Sequence, residues 1–207
     1  MARKTKQEAA MTRESLLVAA RSVFSRQGYA NTTLEQVAQE AGVTRGAIYW
    51  HFGSKVELYL ALLDQYSTYS SDIVQAAALQ GGGLVDIFRR IFIRLCEAVE
   101  TDKALREVME LSLFKTERTP ELLAALQARQ KTEQALLNGI AEVVRRGMQS
   151  GDLRADLEPL DIARAFLAFQ NGLIYMWLQN PYNFSLREIA PAMAEIFLNG
   201  STPRPAS

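Results

Sequence analysis

The residues in this chain best suited to chemistry lie in one run, Thr44-Arg45-Gly46-Ala47-Ile48-Tyr49-Trp50-His51-Phe52, bracketed by Gly42 and Gly53. The run holds one of the two tryptophans and the only histidine. At helical spacing Ile48 and Phe52 fall on one stripe, Arg45 and Tyr49 on another. The first stripe is apolar and can face a core. The second carries a guanidinium that can fork onto guanine O6 and N7. Tyr49, Trp50 and His51 can bond phosphate oxygens and pack on sugars or thymine methyls. Thr44 is an N-cap, so free amides and the positive dipole end favour an anion there. Gly46, one turn before Trp50, costs about 1 kcal/mol of helix stability but lets a partner approach the backbone. Lys55 opens the following helix, where its charge opposes the dipole unless a phosphate lies near.

The surrounding elements must present that face. Leu16, Leu17, Ala20, Val23 and Phe24 make an inner stripe for a helix from about Gln7 to Gln27, ended by Gly28. Leu34, Val37, Ala38 and Ala41 make another, and Thr33 with Gln36 has capping-box spacing. Ala38 is small where two helices would cross, Gly42 suits a left-handed turn, and Ile48 would plug the shared core. Together these describe a helix-turn-helix. An ordinary αα-hairpin would need apolar residues on both faces of the third helix, which it lacks.

The remaining chain reads as helical too. A capping box at Ser54-Lys55-Val56-Glu57 opens a long helix that reaches about residue 70 and can extend to Leu79. Gly81-Gly82-Gly83 breaks the chain. Further helices are expected over about 84–100, 103–116, 120–149, 159–179 and 185–199. The fold class is therefore all-α, with a three-helix helix-turn-helix head over 1–53 and a larger helical body over 54–200. The end of the chain, 201–207, reads as a disordered tail.

Totals bound the function. The 207 residues include 23 Lys/Arg and 23 Asp/Glu, a net charge of zero. Their distribution is uneven: residues 1–60 carry eight basic and five acidic side chains, and residues 61–207 carry 15 and 18. A basic head on an acidic body suits an anionic partner. No apolar run approaches the ~20 residues needed to span a bilayer, and the first residues lack the apolar centre of a signal peptide. With one cysteine, Cys96, no intrachain disulfide can form. The chain is expected in the cytoplasm, without a membrane. Phosphate-binding glycine loops, nucleophile elbows and paired metal-ligand motifs are missing from the sequence, so no enzyme, cofactor or metal is expected. Cys96 reads as a small apolar core residue.

The run TTLEQVAQEAGVTRGAIYWHFGSKVEL, residues 32–58, resembles the DNA-binding signature of TetR-family transcriptional regulators. Its Thr-Thr opening, Gly-Val-Thr turn, Tyr-x-His-Phe and following lysine all match. The string Thr-Arg-Gly-Ala-Ile-Tyr-Trp-His-Phe and the first helix are similar to the AcrR/TtgR-like branch that represses multidrug efflux pumps. The resemblance implies phosphate contacts by Thr33, Thr44, His51 and Lys55. It implies base or backbone reading by Arg45, Tyr49 and Trp50, with Gly46 allowing close approach. His51 capping its own helix and Trp50 packing on the first helix remain alternatives.

A single such head reads few base pairs, so a homodimer on palindromic double-stranded operator DNA is implied. The resemblance places the dimer contact on helices 159–179 and 185–199, and Gly172 would permit close approach there. It also implies a pocket in the body for lipophilic inducers. Phe88, Phe92, Met109, Leu113, Asn171 and Ile174 are expected to line it, although such stripes also serve as plain core. The expected function is a ligand-responsive repressor, released from its operator by lipophilic small molecules. Two other readings stay open: a helical module using the Tyr49/Trp50 face for a protein partner, and a DNA-architectural protein without a ligand.

Overall fold

A computed structural model describes residues 6–117 and 119–202. Among these there are nine α-helices and no strand. They are α1 (Lys6–Gln27), α2 (Leu34–Glu40), α3 (Arg45–Phe52), α4 (Lys55–Leu79), α5 (Leu84–Thr101), α6 (Lys103–Phe114), α7 (Pro120–Ser150), α8 (Pro159–Gln179) and α9 (Leu186–Ser201). The all-α expectation holds, with the helix ends close to where caps and glycines put them.

Two local points sharpen the sequence reading. The Ser/Tyr-rich stretch does not end α4. Ser67 and Thr68 donate to the carbonyls of Leu63 and Asp64, one turn back. Their hydroxyls are thus satisfied inside the helix instead of competing with it. At the other end, Ser201 belongs to α9 and is buried, not part of a tail. Its hydroxyl donates to the Phe197 carbonyl, and its own carbonyl accepts from Arg154 N–H. The rest of the expected tail, 203–207, lies outside the described residues.

Packing divides the described chain into two units that do not follow chain order. One takes in Met1–Thr68 with Ala104–Ala125, and the other Tyr69–Lys103 with Leu126–Ser207. The 1–53 head is therefore part of a larger unit that also holds the first half of α4 and nearly all of α6.

In the first unit α1 packs on α2 and α3. Leu16, Ala20, Phe24, Val37, Ile48 and Phe52 are buried between them. Tyr29 stacks on Phe24, with ring centroids 5.8 Å apart, and meets Tyr59 of α4 edge-on at 5.1 Å. Residues in and just after α6 are tied to the same knot. Tyr29 N–H donates to the Lys115 carbonyl at 2.9 Å, and Lys115 Nζ donates to the Ser25 carbonyl at 2.9 Å. Arg21 pairs with Glu107 at 3.0 Å.

In the second unit α5 lies against α9 and α8. Phe88 and Phe92 of α5, Phe166 and Phe169 of α8 and Phe197 of α9 form a continuous aromatic cluster. Gln170, 3% exposed, donates from Nε2 to the Phe92 carbonyl at 3.2 Å. Arg89 bridges α5 to α9 through Glu195 at 2.5 Å. Burying the large apolar side chains contributes about 1.5–3 kcal/mol each, so both units have real cores.

Candidate nucleic-acid interface

The face is set up by its turn. Gly42, at φ +66°, takes the left-handed conformation that reverses the chain after α2. Val43 N–H then closes onto the Ala38 carbonyl at 2.9 Å, with Ala38 buried at the crossing. Ile48 is fully buried and Phe52 nearly so. That inner stripe fixes the rotation of α3, and the other stripe must point out.

The two helix starts are built as the sequence predicts. Thr33 caps α2, accepting from Gln36 N–H at 3.2 Å, while Gln36 Oε1 accepts from Thr33 N–H at 2.9 Å. Gln27 Nε2 steadies that same amide oxygen at 2.8 Å. Thr44 caps α3, accepting from Ala47 N–H at 3.3 Å. Both threonines are exposed, so the amides at each helix start lie at the surface where an anion can reach them.

Along α3, Arg45 and Gly46 are exposed, Tyr49 is 42% exposed and Trp50 73%. That exposure excludes Trp50 packing on α1. A side chain at Gly46 would meet only the Thr44 hydroxyl, at 3.9 Å. Nothing inside the head therefore asks for glycine there, and its helix cost of about 1 kcal/mol is not offset by internal packing. His51 is half-buried, with its ring edge-on to Trp50 at 4.5 Å and 6.2 Å from Phe52. Arg45 is engaged with Tyr49, whose hydroxyl accepts from Nη2 at 3.4 Å, and with Glu35 of α2 at 2.7 Å. The Tyr49 hydroxyl first, and the Glu35 charge second, hold the guanidinium above its ordinary pKa.

Lys55 also has partners inside the head. Its ammonium donates to the carbonyls of Tyr29, Ala30 and Thr32 at 3.1, 3.2 and 3.0 Å. Three carbonyls use all three donors of the group, and it lies 4.6 Å from the centre of the Tyr29 ring. Burial lowers its pKa, against the Glu121 charge. As placed, Lys55 braces the α1–α2 loop, whose carbonyls supply a negative partner within the protein itself.

The pocket residues are placed less uniformly. Phe88, Phe92 and Ile174 are buried in the second unit, and Met109 is buried in the first. Leu113 is 47% exposed and Asn171 is also exposed. Of the adjacent amides, α8 turns Gln170 inward and Asn171 outward. Gln170 and Phe166, which are not among the expected pocket residues, are buried with them and fall one and two helical turns before Ile174, a spacing the sequence contains. Cys96 is fully buried, and burial pushes its thiol up to about 12, with Gln170 acting in the opposite sense. It stays a thiol, in keeping with its reading as a core residue. Among the described residues no group of acids, histidine or cysteine could hold a metal, and no helix is long and apolar enough to cross a membrane.

A turn-set recognition helix with an outward Arg-Tyr-Trp face, in an otherwise all-helical chain, defines a helix-turn-helix regulator. Residues 16–62 match the bacterial regulatory proteins of the tetR family, and residues 84–201 match the C-terminal region of MAATS-type transcriptional repressors. The chain belongs to the TetR family of bacterial regulatory proteins. It is 33% identical to the HTH-type transcriptional regulator AcrR of Shigella flexneri, over 96% of this chain and 93% of that protein. It is 35% identical to the HTH-type transcriptional regulator TtgR of Pseudomonas putida, over 90% and 89%. The structure of SmeT in complex with triclosan superposes with a TM-score of 0.80 at 25% identity, over 95% of this chain and 99% of that one. SmeT is described as the repressor of the Stenotrophomonas maltophilia multidrug efflux pump SmeDEF.

Proposed function

We propose that this protein is a ligand-responsive repressor of a multidrug efflux operon, acting as a homodimer on a palindromic operator. The observation that carries the DNA half of the reading is the α3 face. Arg45, Tyr49 and Trp50 point to solvent beside a glycine that the protein's own packing does not need. Two such heads would occupy half-sites about 34 Å apart.

The dimer half draws on α8 and α9. Tyr175, Met176 and Ile196 are 41%, 61% and 60% exposed on these helices, and a Cβ at Gly172 would meet nothing within 4 Å. A second copy seated there would cover apolar surface that one chain leaves open. SmeT, the related efflux-pump repressor, has been captured with triclosan. In this chain the aromatic cluster of α5, α8 and α9 offers the apolar wall for such a compound. Phe88, Phe92, Gln170 and Ile174 are the residues proposed to meet it, with Gln170 as the polar group that orients it. Release follows if the compound binds the free form better than the DNA-bound form, by the coupling energy between the two sites. Two stretches can carry that coupling. Helix α4 runs unbroken from the head's unit into the other, and α6, which directly follows α5, leads into Lys115, the residue bonded to Tyr29 and Ser25.

The test is fluorescence anisotropy on labelled promoter DNA from beside the protein's own gene, with a salt series and triclosan among a panel of lipophilic compounds. Tight, salt-sensitive binding that is lost in the Arg45→Ala/Tyr49→Ala variant and reversed by a compound is the expected result. Absence of binding at any salt would overturn the reading and leave the aromatic face to a protein partner.

A further inference from the structure

Resting on that DNA-binding reading, one residue of the head calls for a role it does not assign. A carboxylate on a face that meets phosphate is unfavourable, because it repels the approaching anion. Glu35 nevertheless stands beside the α3 face, in the first turn of α2, with its side chain 48% exposed. Its Oε1 lies 2.7 Å from Arg45 Nε. Packing does not require the pair, since exposed ion pairs contribute only about 0–1 kcal/mol and the two helices are already joined through buried Val37, Ala38 and Ile48.

The contacts do constrain one guanidinium closely. Glu35 occupies its Nε side. The Tyr49 hydroxyl takes one N–H of Nη2 at 3.4 Å, and the guanidinium carbon sits 5.4 Å from the centre of the Tyr49 ring. These contacts leave both N–H donors of Nη1 and one of Nη2. A pair of donors, one from each of these nitrogens, is the arrangement guanine O6 and N7 accept. An arginine side chain otherwise has about 2 kcal/mol of rotamer entropy to lose on binding, and holding it beforehand reduces that loss. Unheld, the same guanidinium would satisfy itself equally well on a phosphate, which carries no sequence information.

We infer that Glu35 is a specificity-determining positioning residue, which holds Arg45 end-on toward a guanine and keeps it off the phosphates. Glu35 touches no DNA in this role; it acts through Arg45. Removing it therefore separates two quantities that ordinary contact residues change together. Discrimination at one base pair falls, while overall affinity for DNA is kept or rises, because a negative charge has left the surface.

The experiment begins with duplexes selected from a randomised pool by the full-length wild-type chain. Anisotropy at one fixed salt then compares wild type, Glu35→Gln, Glu35→Ala and Arg45→Ala. Each is measured on the selected duplex, on its single base-pair variants and on an unrelated duplex. Both Glu35 variants are expected to lose discrimination by about fivefold or more at the same G·C pair that Arg45→Ala loses. Their binding to the unrelated duplex should stay level or tighten, with unchanged melting temperatures. Uniform weakening on every duplex, or discrimination equal to wild type, would overturn the inference while leaving the DNA-binding reading intact. A wild-type chain that selects no sequence would overturn both.

Discussion

Lys55 and Tyr29 are joined twice: the lysine ammonium donates to the Tyr29 carbonyl at 3.1 Å and lies 4.6 Å from the centre of its ring. This pairing, with the Ala30 and Thr32 carbonyls, braces the loop that delivers Thr33 to the start of α2. Lys55→Met should therefore destabilise the protein by roughly 1.5–3 kcal/mol, the range for hydrogen bonds to a charged group. Thermal melting checks this. A phosphate clamp would behave differently, leaving the melt unchanged and reducing the salt slope of DNA binding by about one unit. The three carbonyl contacts predict the loss of stability, and the salt slope tests the phosphate contact separately.

Trp50→Ala is expected to do the reverse. At 73% exposure the indole supports little of the fold, so the stability change should stay within about 0.5 kcal/mol. DNA affinity should fall by an amount readable in anisotropy. Equal DNA binding by the variant would remove Trp50 from the interface. Ile48→Ala, by contrast, empties a fully buried site one stripe away and should cost about 2–5 kcal/mol of stability.

The buried thiol makes the protein sensitive to alkali. Burial raises Cys96 from 9.0 to about 12 and Tyr29 from 10.0 to about 12, so the unfolded chain releases these protons first. A group raised in this way contributes stability that is full below its unfolded pKa and is lost as pH rises through the folded value. Decline should begin near pH 9 with Cys96 and steepen from pH 10 with Tyr29. Cys96→Ala should lower stability throughout but flatten the stretch between pH 9 and 10. Urea titrations across that range decide it; an unchanged slope would mean the thiol ionises equally well in the folded protein.

Met176→Lys and Ile196→Glu alter side chains that are about three-fifths exposed. Both should leave the single chain folded by circular dichroism. If α8 and α9 meet a second copy, each charge would be buried in the contact and must be solvated at its expense. Light scattering should then report a smaller particle, and operator binding should weaken as the paired heads separate. Full-sized particles from both variants would place the dimer contact elsewhere.

Gln170→Met keeps volume but removes the donor to the Phe92 carbonyl. Losing that bond should cost about 0.5–1.5 kcal/mol. DNA binding should persist while the concentration of triclosan needed for release shifts. Identical release would exclude Gln170 from the ligand's surroundings.

Much of the head was legible in the sequence because local rules act there in register. The Thr33 and Thr44 caps, the Gly42 turn and the Ile48/Phe52 stripe depend on neighbours within a few residues, and each stands where periodicity and capping put it. The outward direction of Arg45, Tyr49 and Trp50 follows from the same period. What tertiary structure alone decided is which groups meet across long stretches of chain. Lys55 finds the carbonyls of a loop some 25 residues earlier, and Glu35 reaches Arg45 from the neighbouring helix. Gln170, not Asn171, turns inward onto α5, because the inner face of α8 is set by the phenylalanines of α5 and α9. Helical period places a residue on a stripe. Only the packing of distant elements says whether that stripe meets solvent, a carbonyl or a partner charge.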